Sequence, residues 1–385
     1  MTNFSELLRF ELKKIFLSRI TFLALAVSAG MILGITMINY VVINPYDRGV
    51  YEREAALEGR PLDDALLAEL AEEAEEADGL SQIGPESPYY HLAGYISRMQ
   101  GTYLTIVNST ESGIGNKELT AESVYQMREE LLDYIYEYFR LSDADKQWWK
   151  EKDNLIEKPF VWQANYGIYS MKSGFGAAMN LFCMIAAVCL AGVYAGEKSY
   201  RTDAFILSTK EGKRSLWLVK FAAGEIFSIA AGTLLLIAGL LPHVLFNGLH
   251  GINAPWQLIV PLCANPYTAG QMLARYILTY YQGCLVVGAL VMLFSVLFMN
   301  SMAAAGITCV GLVVDLFLSI PPELGMLSQL RCLTPTQVLI NSSMADPRLI
   351  HIIGLVLTPM QSAGLFYLVL TAVAAVVVRS FYRRL

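Results

Sequence analysis

The chain has 385 residues, of which 55% are apolar and 16% are charged, and its formal net charge at pH 7 is −6. Soluble globular proteins carry about 25% charged residues, so this composition argues against an ordinary soluble domain. The charged residues lie between long uncharged runs, which is the pattern of a chain that crosses a membrane several times.

Residues 1–19 predict a cytoplasmic amphipathic helix. Apolar side chains share one face of this segment, while Glu, Lys and Arg cover the other sides. Such a helix lies in the membrane interface, as an elbow before the chain turns inward. The alternative is a plain helical extension of the first membrane span.

Uncharged runs of sufficient length predict an all-α polytopic membrane protein with six transmembrane helices. A helix needs about 20 apolar residues to cross the hydrocarbon core, and it satisfies its own backbone hydrogen bonds in lipid. The first run is too long for a cleaved signal peptide and lacks a small-residue cleavage pattern. The predicted spans are residues 20–43, 173–196, 216–241, 275–298, 302–320 and 361–379.

Residues 44–172 differ in composition, with 25 acidic and 12 basic residues. Apolar residues at a helical period predict a mostly helical extracytoplasmic domain between the first two spans. We expect helices over 61–77 and 122–141, and a third after a capping sequence at Ser142. The acidity either keeps the domain soluble or attracts cationic ligands.

The basic residues predict the orientation. They concentrate in 1–19, in the loop 197–215 and in the tail after the last span, which ends with 380–385. The loop 242–274 has no Lys or Arg, and the loop 321–360 has two. Because short basic segments stay in the cytoplasm, we expect a multi-pass protein of the plasma membrane with both termini cytoplasmic.

Cysteine and histidine residues give few signs of a reactive site. Four of the six cysteines fall in predicted spans, where they pack as small apolar residues. Cys263 and Cys332 are both assigned to extracytoplasmic loops, where disulfides persist, so they form either a bridge or two free thiols. There is no CxxC pair or HExxH sequence, and the four histidines are scattered, so we expect no metal site.

The sequence also lacks the motif of a phosphate-binding loop for nucleotides. The segment 210–215 contains a Gly-Lys pair, but it lacks the first Gly of GxxxxGK[ST] and has Arg where Ser or Thr is required. We therefore expect a chain that is not an enzyme alone and that binds no cofactor of its own.

The loop 197–215 has an amphipathic segment, a turn at Gly212 and a basic return to the membrane. The residues that carry this pattern are Glu197, Thr202, Asp203, Ile206, Leu207, Ser208, Lys213, Arg214 and Lys220. In these positions, in its amphipathic N-terminus and in its six-span layout, the chain resembles the permease subunits of type 2 ABC exporters. Arg201 stands where many members have Gly.

The resemblance implies that this loop is a coupling helix that docks on a separate ATPase subunit, which would carry the ATP and Mg. Phe205 and Leu207 would insert in a groove of that subunit. It also implies a second permease subunit, in a homo- or heterodimer, and short re-entrant helices near 349–357. The alternative is that the basic residues of the loop only fix the topology.

Three charged residues lie in or beside predicted spans, where charges are costly and often functional. Glu225 is a candidate for a polar path or an interhelical contact. Arg275 and Asp315 lie at similar depth, so they form either an ion pair or separate, locally satisfied sites. Two GxxxG motifs, at 30–34 and 192–196, favour close helix packing within the chain.

The leading hypothesis is therefore a permease subunit that exports a peptide-like or amphipathic cargo, with membrane lipid around it and no nucleic-acid partner. One alternative is a transporter driven by protons or ions through Glu225, Arg275 and Asp315. Another is a receptor or sensor that uses the extracytoplasmic domain.

Overall fold

The computed structural model describes residues 4–106, 119–199, 215–341, 346–352 and 354–384. It is 75% helical, with one small two-stranded sheet. The described helices are α1 (Phe4–Phe16), α2 (Arg19–Ile38), α3 (Val50–Glu54), α4 (Asp64–Glu76), α5 (Tyr90–Ile106), α6 (Ala121–Tyr138), α7 (Asp143–Asp153), α8 (Tyr166–Leu190), α9 (Gly192–Ser199), α10 (Leu216–Asn247), α11 (Ala269–Phe298), α12 (Ser301–Phe317), α13 (Met326–Cys332), α14 (Pro335–Asn341) and α15 (Pro359–Tyr382).

Within the described residues, five helical segments are long and apolar enough to cross a membrane. These five helices agree with the predicted class, an all-α polytopic membrane protein. The fifth predicted span, 302–320, corresponds to α12, whose 17 residues extend about 26 Å and are shorter than the other five spans. The five segments are Arg19–Ile43, Tyr166–Lys198, Leu216–Asn247, Ala269–Phe298 and Pro359–Tyr382.

The turn between α11 and α12 follows from one residue. The Asn300 side chain accepts hydrogen bonds from the backbone N–H groups of Met302 (2.9 Å) and Ala303 (3.2 Å). N–H groups in the first turn of a helix have no acceptor within the helix itself. Met299 before it is left-handed, with φ of 48°. The sequence-based prediction of a helix break at this position is confirmed.

The α8 helix lies at the centre of the helical bundle and packs against α10, α11, α12 and α14. Two glycines permit a close approach of α8 to α10. A Cβ atom on Gly174 would lie 2.9 Å from the Gly239 carbonyl oxygen, and one on Gly239 would lie 3.1 Å from the Gly174 carbonyl oxygen. Only glycine permits the two backbones to lie this close together.

The two GxxxG motifs do not make this kind of contact. Among the described residues, nothing lies within 4 Å of a Cβ atom built on Gly30, Gly34 or Gly196. Gly192 meets only the Ser301 hydroxyl, at 3.9 Å. The predicted packing within the chain is therefore wrong for these motifs, because the relevant faces of α2 and α9 point away from the neighbouring described helices.

Helices α3 to α7 form the inserted domain, between α2 and α8. Asp63 and Ser142 cap α4 and α7, and Thr120 caps α6 with a reciprocal pair of bonds to Ser123. The three predicted helices of this region are confirmed, although α8 begins at Tyr166, before the predicted boundary at 172. The core of the domain includes Leu66, Leu67, Leu70, Leu92, Tyr95, Ile96, Val124, Met127, Leu131, Phe160 and Trp162.

Arg128 of α6 joins the inserted domain to the loop between α10 and α11. Its guanidinium is 2% exposed, and it makes two bonds to the Asp153 carboxylate, at 2.6 and 3.0 Å. It also donates to the carbonyl oxygens of Pro261 (2.7 Å) and Cys263 (3.0 Å). Burial alone raises the pKa of Asp153, but the bonds from Arg128 outweigh it and hold that pKa below the ordinary value.

The segment 349–357 is not a re-entrant helix. Strands β1 (Ile350–Ile352) and β2 (Leu355–Leu357) pair antiparallel as a hairpin, so the re-entrant helical interpretation of this segment is wrong. The apolar residues are β-branched or Leu in short runs, which suits a strand better than a helical turn. The hairpin contacts the inserted domain through His351, whose Nε2 lies 2.8 Å from an Asp145 carboxylate oxygen.

Candidate functional site

The loop predicted to dock on an ATPase is described only at its flanks. Glu197 lies in α9, before the loop, and Lys220 lies in the first turns of α10, after it. The other predicted coupling residues lie outside the described residues. They are Thr202, Asp203, Phe205, Leu207, Ser208, Lys213 and Arg214.

Lys220 brings the two flanks of this loop together with the N-terminal helix. Its side chain is 0% exposed, and its Nζ lies 2.5 Å from a Glu197 carboxylate oxygen and 3.9 Å from a Glu11 carboxylate oxygen. It also donates to the Val193 carbonyl oxygen at 2.8 Å. The Nζ of Lys14 lies 3.8 Å from the same Glu11 oxygen.

We call Lys220, Glu197, Glu11 and Lys14 the lysine cluster. It contains two carboxylates and two ammonium groups, so its formal charge is balanced. A buried ammonium is tolerated only where carboxylates and carbonyls replace its water shell. The cluster therefore fixes α1, α9 and α10 relative to one another at the basic end of the spans.

Apolar packing places α1 against α10 so that Glu11 reaches Lys220. Ile15 is buried, and the Phe16 and Phe227 rings meet edge to face with centroids 5.3 Å apart. Helix α1 covers Phe4–Phe16 of the predicted amphipathic segment, and apolar side chains from Leu8 to Phe16 lie on the helical bundle.

The position of α9 depends on Ser295, a residue that belongs to no recognisable sequence motif. The chain turns at Ala191 between α8 and α9, which leaves the first N–H groups of α9 without helical partners. The Ser295 hydroxyl of α11 accepts from the N–H groups of Tyr194 (3.2 Å) and Ala195 (3.1 Å), and donates to the Ala191 carbonyl oxygen (2.6 Å). This bonding directs α9 toward Lys220.

Aromatic side chains pack beside the lysine cluster. The Tyr194 ring centroid lies 5.8 Å from the Lys220 Nζ, and its hydroxyl donates to the Trp217 carbonyl oxygen at 2.7 Å. The Tyr382 ring of α15 meets Tyr194 edge to face at 5.6 Å. The last helix thus also contacts the residues that support the loop.

The three predicted intramembrane charges are not brought together. Arg275 lies over the Tyr267 ring, 3.7 Å from its centroid, and donates to the Gln271 carbonyl oxygen. Asp315 accepts hydrogen bonds from the hydroxyls of Thr334 (2.8 Å) and Thr336. No ion pair joins Arg275 and Asp315 in the described structure, because each is satisfied locally.

Glu225 stands alone among these charges. Both carboxylate oxygens are buried in α10, and neither has a hydrogen-bond partner among the described residues. The polar path or interhelical contact expected of Glu225 stays a prediction.

Cys263 and Cys332 are free thiols in the structure, so the disulfide considered from the sequence is not formed. Cys263 is buried next to Asn265, and Cys332 lies at the end of α13 near Asp346. Each thiol is thus held in a separate local contact.

The reactivity of Cys332 should depend steeply on pH. Burial, followed by the negative charge of Asp346, raises the pKa of this thiol to about 11. Because only the thiolate is nucleophilic, alkylation at pH 8 is expected to be roughly a hundredfold slower than for an unperturbed cysteine, and to rise until about pH 11. The measurement is the rate of iodoacetamide labelling by peptide mass spectrometry.

The matched control is a cysteine placed at the exposed Leu155 (Leu155→Cys), which should label at the ordinary rate. Rapid labelling of Cys332 at pH 8, or a non-reduced peptide that joins it to Cys263, would contradict the structure.

The described residues offer no metal site, since no three His, Cys, Asp or Glu side chains among them come close enough to hold an ion. The buried charges of this region join the flanks of the loop to each other and to α1. Comparison with protein-family models, with curated proteins and with solved structures finds no match for this chain.

Proposed function

We propose that this chain is the membrane-spanning permease subunit of an ABC exporter. In this proposal α12 is the fifth of six spans, the basic end faces the cytoplasm and the protein lies in the plasma membrane. A separate ATPase subunit supplies ATP and Mg, and a second permease copy or a related chain completes the transporter. The chain is not catalytic alone.

The lysine cluster carries this proposal. A loop that transmits a push from an ATPase to the spans must be joined rigidly to them at both ends. Glu197 and Lys220 flank the loop and are bonded to each other, and Glu11 connects them to α1. A rotation of the loop would therefore move α1, α9 and α10 as one unit.

The proposed cargo is peptide-like or amphipathic. The acidic inserted domain supports a weak preference for cationic molecules, because its charge attracts them at long range. This preference would affect capture at the domain and does not define a binding pocket.

A second candidate function is an ion-coupled transporter. The observation that favours it is Glu225, a membrane-embedded carboxylic acid without a hydrogen-bond partner among the described residues. Such groups often lie on proton or ion paths. Flux driven by a pH gradient in the absence of ATP would support this alternative over the first.

The docking loop is tested by replacing Phe205 and Leu207 together with Asp. Charged side chains cannot enter an apolar groove without losing their hydration, so we expect an ATPase subunit to stop co-purifying in mild detergent. The matched control is Leu155→Asp, which changes an exposed apolar residue of the inserted domain. Unchanged co-purification of the double variant would exclude docking through this face.

A further inference from the structure

A cavity of about 390 Å³ lies where the inserted domain meets the spans. Tyr136 and Trp149 of the domain form one side, and the loop 262–267 forms another. The remaining walls come from the first turns of α11 and α15, including Arg275 and Leu365. Its size is at the lower end of ordinary ligand pockets, which are about 300–1,000 Å³.

The depth of the cavity places it at the level of lipid headgroups. The α11 helix has 30 residues and is about 45 Å long, whereas the hydrocarbon core is about 30 Å thick. Arg275 is six residues after Ala269, so it lies about 9 Å from the helix end. With the hydrocarbon core centred on α11, the Arg275 guanidinium would lie near the lipid phosphates of the leaflet on the domain side.

The charge in the cavity wall is positive. Its two charged residues are Arg275 and Asp346. The Asp346 carboxylate is already paired with the Arg348 guanidinium, which leaves it neutralised. Arg275 makes no ion pair within the described structure, and its contacts there are a ring face and a backbone carbonyl.

The cavity also has an apolar exit toward the membrane. Leu278 of α11 and Leu365 of α15 line it, and both are exposed on the outside of the helical bundle. In a bilayer this surface faces acyl chains. A molecule with a polar head in the cavity could therefore leave its chains among the surrounding lipids.

We propose that this cavity is a binding site for a phospholipid of the domain-side leaflet, with the phosphate held by Arg275. Arg275 would supply a charge-assisted hydrogen bond. The acyl chains would pass over Leu278 and Leu365. This site does not depend on the proposed transport function, because it requires only the fold and the membrane.

The test is native mass spectrometry of the full-length protein titrated in mild detergent with defined lipids. We expect one phosphatidylglycerol to remain bound, whereas diacylglycerol, which lacks the phosphate, and soluble glycerol phosphate, which lacks the chains, are not retained. Arg275→Gln should weaken phosphatidylglycerol binding about tenfold, since a hydrogen bond to a charged group contributes more than a neutral one.

The matched control is Arg379→Gln. Arg379 also lies over an aromatic ring, that of Trp217, but at the opposite end of the spans. This variant should retain the lipid as the unaltered protein does. Equal retention by Arg275→Gln and the unaltered protein would overturn the proposal, and so would equal binding of diacylglycerol or of glycerol phosphate. Thermal unfolding of each variant, unchanged within a few degrees, verifies that the fold is intact.

Discussion

Replacing Lys220 with methionine is expected to lower the thermal unfolding midpoint and the membrane yield of the protein. The ammonium is fully buried and lies between Glu197 and Glu11, so the variant leaves two buried carboxylates without this cation. Removal of one partner from a buried ion pair costs about 3–5 kcal/mol. The measurement is thermal unfolding in mild detergent, together with the amount of ATPase that co-purifies.

Lys14→Met is the control for this experiment. Lys14 lies 3.8 Å from the same Glu11 carboxylate but is 44% exposed, and exposed pairs contribute about 0–1 kcal/mol. Its unfolding midpoint should therefore change little. If both variants lose the same stability, burial of Lys220 is not what fixes the three helices together.

Replacing Arg128 with methionine is expected to loosen the inserted domain from the loop between α10 and α11. The variant removes both bonds to Asp153 and leaves the carbonyl oxygens of Pro261 and Cys263 without this donor. Breaking a buried charged network of this kind costs about 3–5 kcal/mol. Hydrogen exchange should rise in α7 and in residues 256–265, while α10 stays protected.

Lys158→Met provides the comparison within the same network. Its Nζ lies 3.4 Å from an Asp153 oxygen, but the side chain is 41% exposed. We expect little change in hydrogen exchange from this variant. Equal deprotection in the two variants would show that Arg128 has no special part in holding the domain.

Local sequence patterns were sufficient to predict most of the helices. Caps act within one turn, so Ser142 could be identified as a helix start without knowledge of the fold. Long uncharged runs likewise predict spans, because in lipid the backbone polar groups of the whole run must be hydrogen-bonded within the helix.

The contacts of the candidate site depend on residues far apart in the chain. Glu197 and Lys220 could be selected from the resemblance, but nothing near Glu11 or Ser295 indicates that they meet the same segment. Glu11 looks like an ordinary charged residue of an amphipathic helix, and Ser295 like a small residue in an apolar run. Their roles come from helix packing, which one sequence does not specify.

The charged residues and glycines of the spans also depend on helix packing, which could not be predicted from the sequence. Depth along a helix can be counted from the sequence, and it placed Arg275 and Asp315 at similar levels. The direction in which each helix faces its neighbours cannot be counted from the sequence. In the structure Arg275 and Asp315 therefore meet different local partners. The close approach of α8 and α10 likewise uses Gly174 and Gly239, which belong to no GxxxG motif.

The short α12 has a consequence for the lipid around the protein. Met302 near one end and Phe317 at the other are both largely exposed, so this helix presents about 26 Å of apolar surface beside a core that is about 30 Å thick. With α12 as a span, the bilayer must thin next to it, at a cost of a fraction of a kcal/mol per Å. The longer α8 and α10 impose no such thinning, so the boundary lipid would be uneven in thickness around the molecule. That hydrophobic mismatch would favour membranes with shorter or less ordered acyl chains.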